Sequence, residues 1–218
     1  MPQRLPTAPP DSTASPGLTR TQRRAAEMRE HLIDIAEALL VEGGAAGVSA
    51  DEVAQRADVS LQTVYNRVGR KPDLLIAIAE RAMEVNRRYV DAAYAGDGTV
   101  EDRAMRIFTA YTRFAFAHPQ QFRILANPPG EPQALARIAA MAREQNAKLA
   151  QLIADGIQAG LLDARLDPLA AANALWSMMD GMLQLALRED GMRPPEVTPG
   201  ALLANAMLMI ESGLRQRR

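Results

Sequence analysis

Between residues 169 and 187 the chain carries Leu169, Ala172, Leu175, Trp176, Met178, Met179, Met182, Leu183 and Leu185, an apolar series around most of a helix's circumference. Residues 201–214 repeat the pattern. A helix that is apolar on all sides in a water-exposed protein must be covered on all sides, and one small domain cannot cover two of them. Pairing with their symmetry mates in a two-fold dimer resolves this, so a homodimer with a four-helix interface is expected. Aromatic residues are only 4% of the chain while apolar residues reach 48%, carried by Ala, Leu and Met. Those are strong helix formers and poor strand formers, and the expected fold class is all-α.

Cysteine is absent, which excludes disulfides, thiolate metal sites and a cysteine nucleophile. His31 and His118 stand alone, one in a charged helix and one before Pro119, so no metal site and no cofactor are expected. A Ser-His-Asp arrangement would have to use one of them, and there is no glycine-rich phosphate loop, so the chain does not read as an enzyme. No apolar run reaches the roughly 18 residues of a membrane span, and the opening MPQRLPTAPPDSTASPG lacks the core of a signal peptide. A cytoplasmic protein with no membrane partner is the expectation. Net charge is −1, and between residues 20 and 71 eight basic residues are balanced by eight acidic ones. Any contact with a polyanion must therefore come from a local cluster.

Residues 1–18, rich in Pro, Ser and Thr, are expected to form a disordered tail. From Thr21, the series Met28, Leu32, Ile35, Ala36 and Leu39 predicts a helix that stops at Gly43-Gly44. Ser49-Ala50-Asp51-Glu52 predicts a capping box and a second helix to about Ala57. Ser60 can cap a third short helix to about Val68, and two helices across a tight turn form a helix-turn-helix. Lys71-Pro72-Asp73 opens a long helix to about Ala95, shared by both halves of the chain instead of a flexible linker. Further helices are expected over 100–117, about 120–125, 132–159, 169–187 and 201–214, with a loop at Asn127-Pro128-Pro129-Gly130.

In the third helix Leu61, Val64 and Val68 form an inward apolar stripe. Gln62, Thr63, Asn66 and Arg67 are two i, i+4 pairs side by side, making one polar face short enough to enter a major groove. Arg can bind guanine O6 and N7 in bidentate fashion, Asn and Gln can do so with adenine, and the Thr methyl can meet a thymine methyl. Lys71, at the next helix start, suits a backbone phosphate. The basic trio Arg20, Arg23 and Arg24 could add backbone contacts before the first helix, or form an ordinary solvated cluster.

The stretch AQRADVSLQTVYNRVGRKPDLL, residues 54–75, resembles the signature of tetracycline-repressor-type regulators, with Ala57, Val59, Ser60, Thr63, Tyr65, Lys71 and Leu74 in register. The resemblance implies a helix-turn-helix domain over 19–71 and an effector-binding and dimerisation domain over 72–218. It further implies a dimeric repressor of a palindromic double-stranded DNA operator, released by a small apolar effector. Ser49, Thr63, Tyr65 and Lys71 are then expected to hold phosphates, with Ser60 beginning the reading helix, while Gln62, Asn66 and Arg67 face bases. Asp58 departs from the family's usual Gly at a turn that favours a left-handed backbone. Val68 replaces a customary Phe, and Leu61 a basic or small residue. These departures keep a second reading open, a dimeric helical small-molecule binder with a degenerate helix-turn-helix.

For the effector, Phe108, Tyr111, Phe114, Phe122, Met141, Trp176 and Met179 are candidates to line an apolar cavity. Trp176 to Gly181, WSMMDG, resembles a Trp-x-x-x-His-Gly pattern of one branch of these regulators, with Asp180 in place of His. An acid in so apolar a helix is costly unless paired, hydrated or functional. Arg113 or Arg143 is the expected partner if its role is structural, and a ligand if it is not.

Overall fold

A computed structural model describes residues 19–128 and 132–215. The expected tail over 1–18 and part of the Pro-Pro-Gly loop lie outside the described residues. Within them the chain forms α1 (Arg20–Gly47), α2 (Ala50–Arg56), α3 (Leu61–Arg67), α4 (Lys71–Tyr94), α5 (Val100–Ala117), α6 (Pro119–Ala126), α7 (Pro132–Gln158), α8 (Pro168–Ala186) and α9 (Pro199–Leu214). The extended backbone consists of one isolated antiparallel bridge, Leu162 to Arg215. No described helix is long and apolar enough to cross a membrane.

Local chemistry explains the boundaries. The first helix begins one residue before the expected start, because Thr19 and Gln22 form a reciprocal capping box that sequence reasoning missed. Its regular backbone breaks at Gly44, whose φ of +63° suits a residue without Cβ. At Ser49 only half of the expected box is made. The Ser49 hydroxyl accepts the Glu52 N–H at 3.1 Å, but the Glu52 carboxylate turns instead to Arg56 Nε at 3.0 Å, where it completes an i, i+4 ion pair.

The turn from α2 to α3 is a Schellman motif. The Val59 N–H donates to the Ala54 carbonyl at 3.1 Å and the Asp58 N–H to the Gln55 carbonyl at 3.3 Å, with Asp58 at φ +51°. Asp58 thus holds the left-handed position in which a side chain costs energy that Gly avoids. Asp58→Gly should raise stability by about 0.5–1 kcal/mol, or about 1–3 °C in thermal unfolding, the gain limited by the greater freedom of Gly in the unfolded chain. A lower midpoint would show that the Asp58 side chain stabilises the turn.

Two cores organise the molecule. The first gathers Leu32, Ile33, Leu40, Val53, Val64, Leu74 and Ile78 from α1 to α4, and it continues into Ile124 of α6 and Ile138 of α7. Leu61 and Val68 pack onto it from α3, as the inward stripe requires. The second is centred on Phe114, Phe122 and Leu183. Arg81 of α4 clamps α1, reaching Glu30 at 2.7 Å, Asp34 at 2.5 Å and Glu37 at 3.2 Å. Gln121 of α6 joins by donating to Glu37 at 3.0 Å. The amino-terminal helices are thereby tied to the rest of the chain by packing and by charge.

Candidate nucleic-acid interface and cavity

The α3 helix buries Val64 completely and turns Gln62, Tyr65, Asn66 and Arg67 outward, with Thr63 half-buried beside them. Ser60 caps the helix by accepting the Thr63 N–H at 3.1 Å, and the two hydroxyls lie 2.9 Å apart. Gln62 Nε2 donates to Asn66 Oδ1 at 2.9 Å, so these side chains are aligned along one edge. Among the described residues no ion pair holds Arg67. Ser49 is half-buried at the start of α2, its hydroxyl already used as a cap. Lys71 Nζ donates to the Ala46 carbonyl at 3.0 Å, satisfying an end of α1. Gly69, at φ +129°, allows the tight approach of α4, since a Cβ there would stand 2.2 Å from Asp73 Oδ2. All eight residues expected at the interface therefore lie in the segment from α2 to the start of α4, four of them as one exposed face.

Helices α4, α5, α7, α8 and α9 border a partly open cavity of about 1010 Å³. Residues 83–94 of α4, 100–111 of α5 and 142–153 of α7 border it, so at 1.5 Å rise per residue each wall runs about 16 Å. Trp176, Met179 and Asp180 line it, as do Phe108 and Tyr111. Phe114 and Met141 do not. Phe114 is wholly buried in the second core, edge-on to Tyr89, and Met141 packs against the first core, so both fill the interior around the cavity instead of facing it. Phe122 is likewise plain core. His118 sits in this aromatic cluster, 3.3 Å from the Tyr89 hydroxyl.

Asp180 is paired with neither Arg113 nor Arg143, both of which are exposed. Its partner is Tyr111, whose hydroxyl donates to Asp180 Oδ1 at 2.5 Å. Burial pushes the Asp180 carboxyl up to about 6, against the opposing pull of that hydrogen bond. Burial and the neighbouring carboxylate hold the Tyr111 phenol well above its usual range, with a hydrogen bond from Trp176 acting in the other direction. Sequence reasoning missed Asn86 and Gln145. Asn86 borders the cavity from α4, is only 5% exposed, and its Nδ2 has no protein partner. Gln145 Oε1 is similarly orphaned, while its amide N–H reaches Asp91 at 3.3 Å. An enclosed polar atom without a partner costs about 1–3 kcal/mol unless water or a bound molecule meets it. The signal was present, since Asn86 interrupts the apolar series Met83, Val90 on α4.

Residues 32–78 match the family described as bacterial regulatory proteins, tetR family, and residues 104–209 match the tetracyclin repressor-like C-terminal domain. Solved structures agree in fold. A TetR/AcrR family transcriptional regulator from Thermobifida fusca is 21% identical, with 87% of this chain and 100% of that one covered and a TM-score of 0.68. A tetR family regulatory protein from Rhodococcus RHA1 is 23% identical over 89% and 98%, with a TM-score of 0.65. AibR, solved in complex with isovaleryl coenzyme A and operator DNA, is 17% identical over 83% and 96%, with a TM-score of 0.66. No curated protein matches in sequence. With both of its halves matched and a helix-turn-helix presented at one end, the chain belongs to the tetR family of bacterial DNA-binding transcriptional regulators.

Proposed function

We propose that the protein is a dimeric repressor that reads a palindromic operator with α3 and leaves it when a small, mostly apolar molecule fills the cavity. The observation that carries this is the single exposed face of Gln62, Tyr65, Asn66 and Arg67 on a helix whose other side is locked into the core. Gln62, Asn66 and Arg67 read base edges, while Ser49, Ser60, Thr63, Tyr65 and Lys71 meet the phosphate backbone. Lys71 exchanges the Ala46 carbonyl for a phosphate on binding. AibR, of the same fold, was solved with both a ligand and operator DNA, which supports joining the two halves in one mechanism.

Dimerisation follows from α8 and α9. No residue of α9 is buried, Leu208 and Met209 are 63% and 75% exposed, and Met178 and Leu169 stand exposed on α8. Apolar surface of this extent on two neighbouring helices calls for a second copy of the chain. Met179 is buried against the second core and the cavity, so a charge there would damage the interior and not the interface. Leu208→Glu, alone or with Met178→Glu, should convert the dimer to monomers or aggregates at micromolar concentration. A monodisperse wild-type monomer in sedimentation would sink the interface.

Release follows from α4, which borders the cavity along residues 83–94 and packs under the reading head at Leu74 and Ile78. A helix tilts as one body, so a change at its cavity end alters the separation of the two heads, which must match successive major grooves roughly 34–36 Å apart. Selection from random duplex DNA tests the whole reading. An enriched palindrome supports it, whereas no enrichment together with tight small-molecule binding favours a helical binding protein whose helix-turn-helix is degenerate. Linkage adds a quantitative demand: the factor an effector takes from operator affinity, typically about 1–3 kcal/mol, must reappear as weaker effector binding to the operator complex.

A further inference from the structure

We infer that the cavity selects molecules bearing a protonated amine on an elongated apolar frame, with Asp180 as the counter-ion, over carboxylates and acyl anions of the same length. The inference rests on the reading of the cavity as the effector site. Four acids border it, Glu101, Asp102, Asp180 and Glu211, against one base among the described residues, Arg215. Asp102 is committed to capping α5, its carboxylate holding the Thr99 N–H and hydroxyl. Asp180 is different. Tyr111 fixes its Oδ1, so a half-buried acid borders the cavity with no ion pair reaching its carboxyl among the described residues. An ammonium group supplies both the charge and the donors, and such a charge-assisted hydrogen bond at a half-buried carboxylate is stronger than one between neutral groups.

A second observation, independent of charge, marks the same space as built for a solute. The Asn86 carboxamide is almost wholly buried, borders the cavity and has an unpartnered Nδ2, and Gln145 Oε1 is unpartnered on the wall formed by α7. Neutral hydrogen-bonding groups on the ligand frame can meet them, as can trapped water. The walls set the shape. Three helices border the cavity over about 16 Å each, so a long frame is favoured over a compact one. A carboxylate placed at the same position would meet the Asp180 carboxylate with no cation beside it among the described residues, which is the element of rejection that specificity requires.

The test uses the full-length dimer and three probes of equal length, decylamine, decanol and decanoate, below their micelle-forming concentrations, with affinities measured by calorimetry near neutral pH. Decylamine is expected to bind at least about tenfold more tightly than decanol, and decanoate more weakly than both. Asp180→Asn should erase the preference for decylamine while leaving decanol within about twofold, and Glu211→Gln should keep the preference. Tightest binding by decanoate, absence of binding by all three, or an amine preference that survives Asp180→Asn would each overturn the proposal. So would its loss in Glu211→Gln to the same extent, because the selectivity would then belong to the general field of the lining. If Asp180→Asn fails to fold, the order of the three probes on the wild-type protein and the Glu211→Gln result decide. Decylamine that binds through Asp180 yet leaves operator affinity unchanged would refute the effector role and keep the amine site.

Discussion

Replacing Arg67 with Ala should relax operator specificity at one base position in each half-site, at about 1–3 kcal/mol per half-site and thus about 2–6 kcal/mol for a dimer engaging both. Arg67 sits in the last turn of α3, fully outward, with no carboxylate to compete for its guanidinium among the described residues. It is therefore free to form the bidentate contact to guanine that its planar fork allows. Asn66→Ala should act at a different base, since its amide lies along the Gln62 edge. Lys71→Ala should behave otherwise, weakening all sequences alike and lowering the salt slope of log K by about one per contact. It also removes the bond to the Ala46 carbonyl, so thermal unfolding of this variant must accompany the binding data. Competition binding against single-base operator variants separates the two patterns. Uniform loss from Arg67→Ala would remove that residue from base reading.

Asp180→Asn should stabilise the free protein near neutral pH by about 2–3 kcal/mol. The Asp180 carboxyl is pushed up to about 6 from 3.8, chiefly by burial. A carboxyl whose folded-state value lies above its unfolded value binds its proton more tightly in the folded chain. Stability from this group is therefore greatest below about 3.8, falls as pH rises to about 6, and stays at the lower level above it. Asn cannot ionise and can still accept the Tyr111 hydrogen bond, so the variant gains most where the wild type carries the charge. Denaturant unfolding of both proteins near pH 4 and near pH 7.5 should show a difference that is small at the first and full at the second. A variant less stable at neutral pH would mean that the carboxylate is well satisfied in the free state. The expected sign fits a residue that is kept for what it binds.

Most of the secondary structure was legible because each boundary has a local chemical cause. Thr99, Asp167 and Thr198 cap α5, α8 and α9, Pro opens four of the helices, and glycine or a His-Pro pair closes others. The reading face was legible for a similar reason, since the 3.6-residue period alone puts Gln62 and Asn66 opposite Val64, while the exposure of Arg67, three residues on from Val64 at the border of that face, was not fixed by the period. Tertiary partners were not. Asp180 was sought by Arg113 and Arg143 because charge complementarity is visible in sequence, whereas its hydrogen bond to Tyr111 depends on how α5 and α8 face each other. Phe114 and Met141 illustrate the same limit: helical spacing identifies an inward residue without telling core from cavity wall. The clamp of Arg81 on three carboxylates of α1 lies beyond any local pattern, its partners being 44 to 51 residues away in the chain.

The first core does not end where α4 begins. Leu74, Ala77, Ile78, Ala79, Ala82 and Met83 belong to it, with Ile124 and Ile138 from later helices, and Met83 also borders the cavity. The reading head consequently has only part of its hydrophobic interior to carry away. A recombination event that joined the first 71 residues to another regulator would strip the head of half its packing and leave the Arg81 carboxylates unneutralised unless the recipient supplied matching residues. Exchanges that keep this core whole must cut beyond the middle of α4, inside the wall of the cavity. On the proposed function, operator and effector preferences are therefore expected to be altered more readily by point substitution on α3 or in the cavity than by exchange of whole domains.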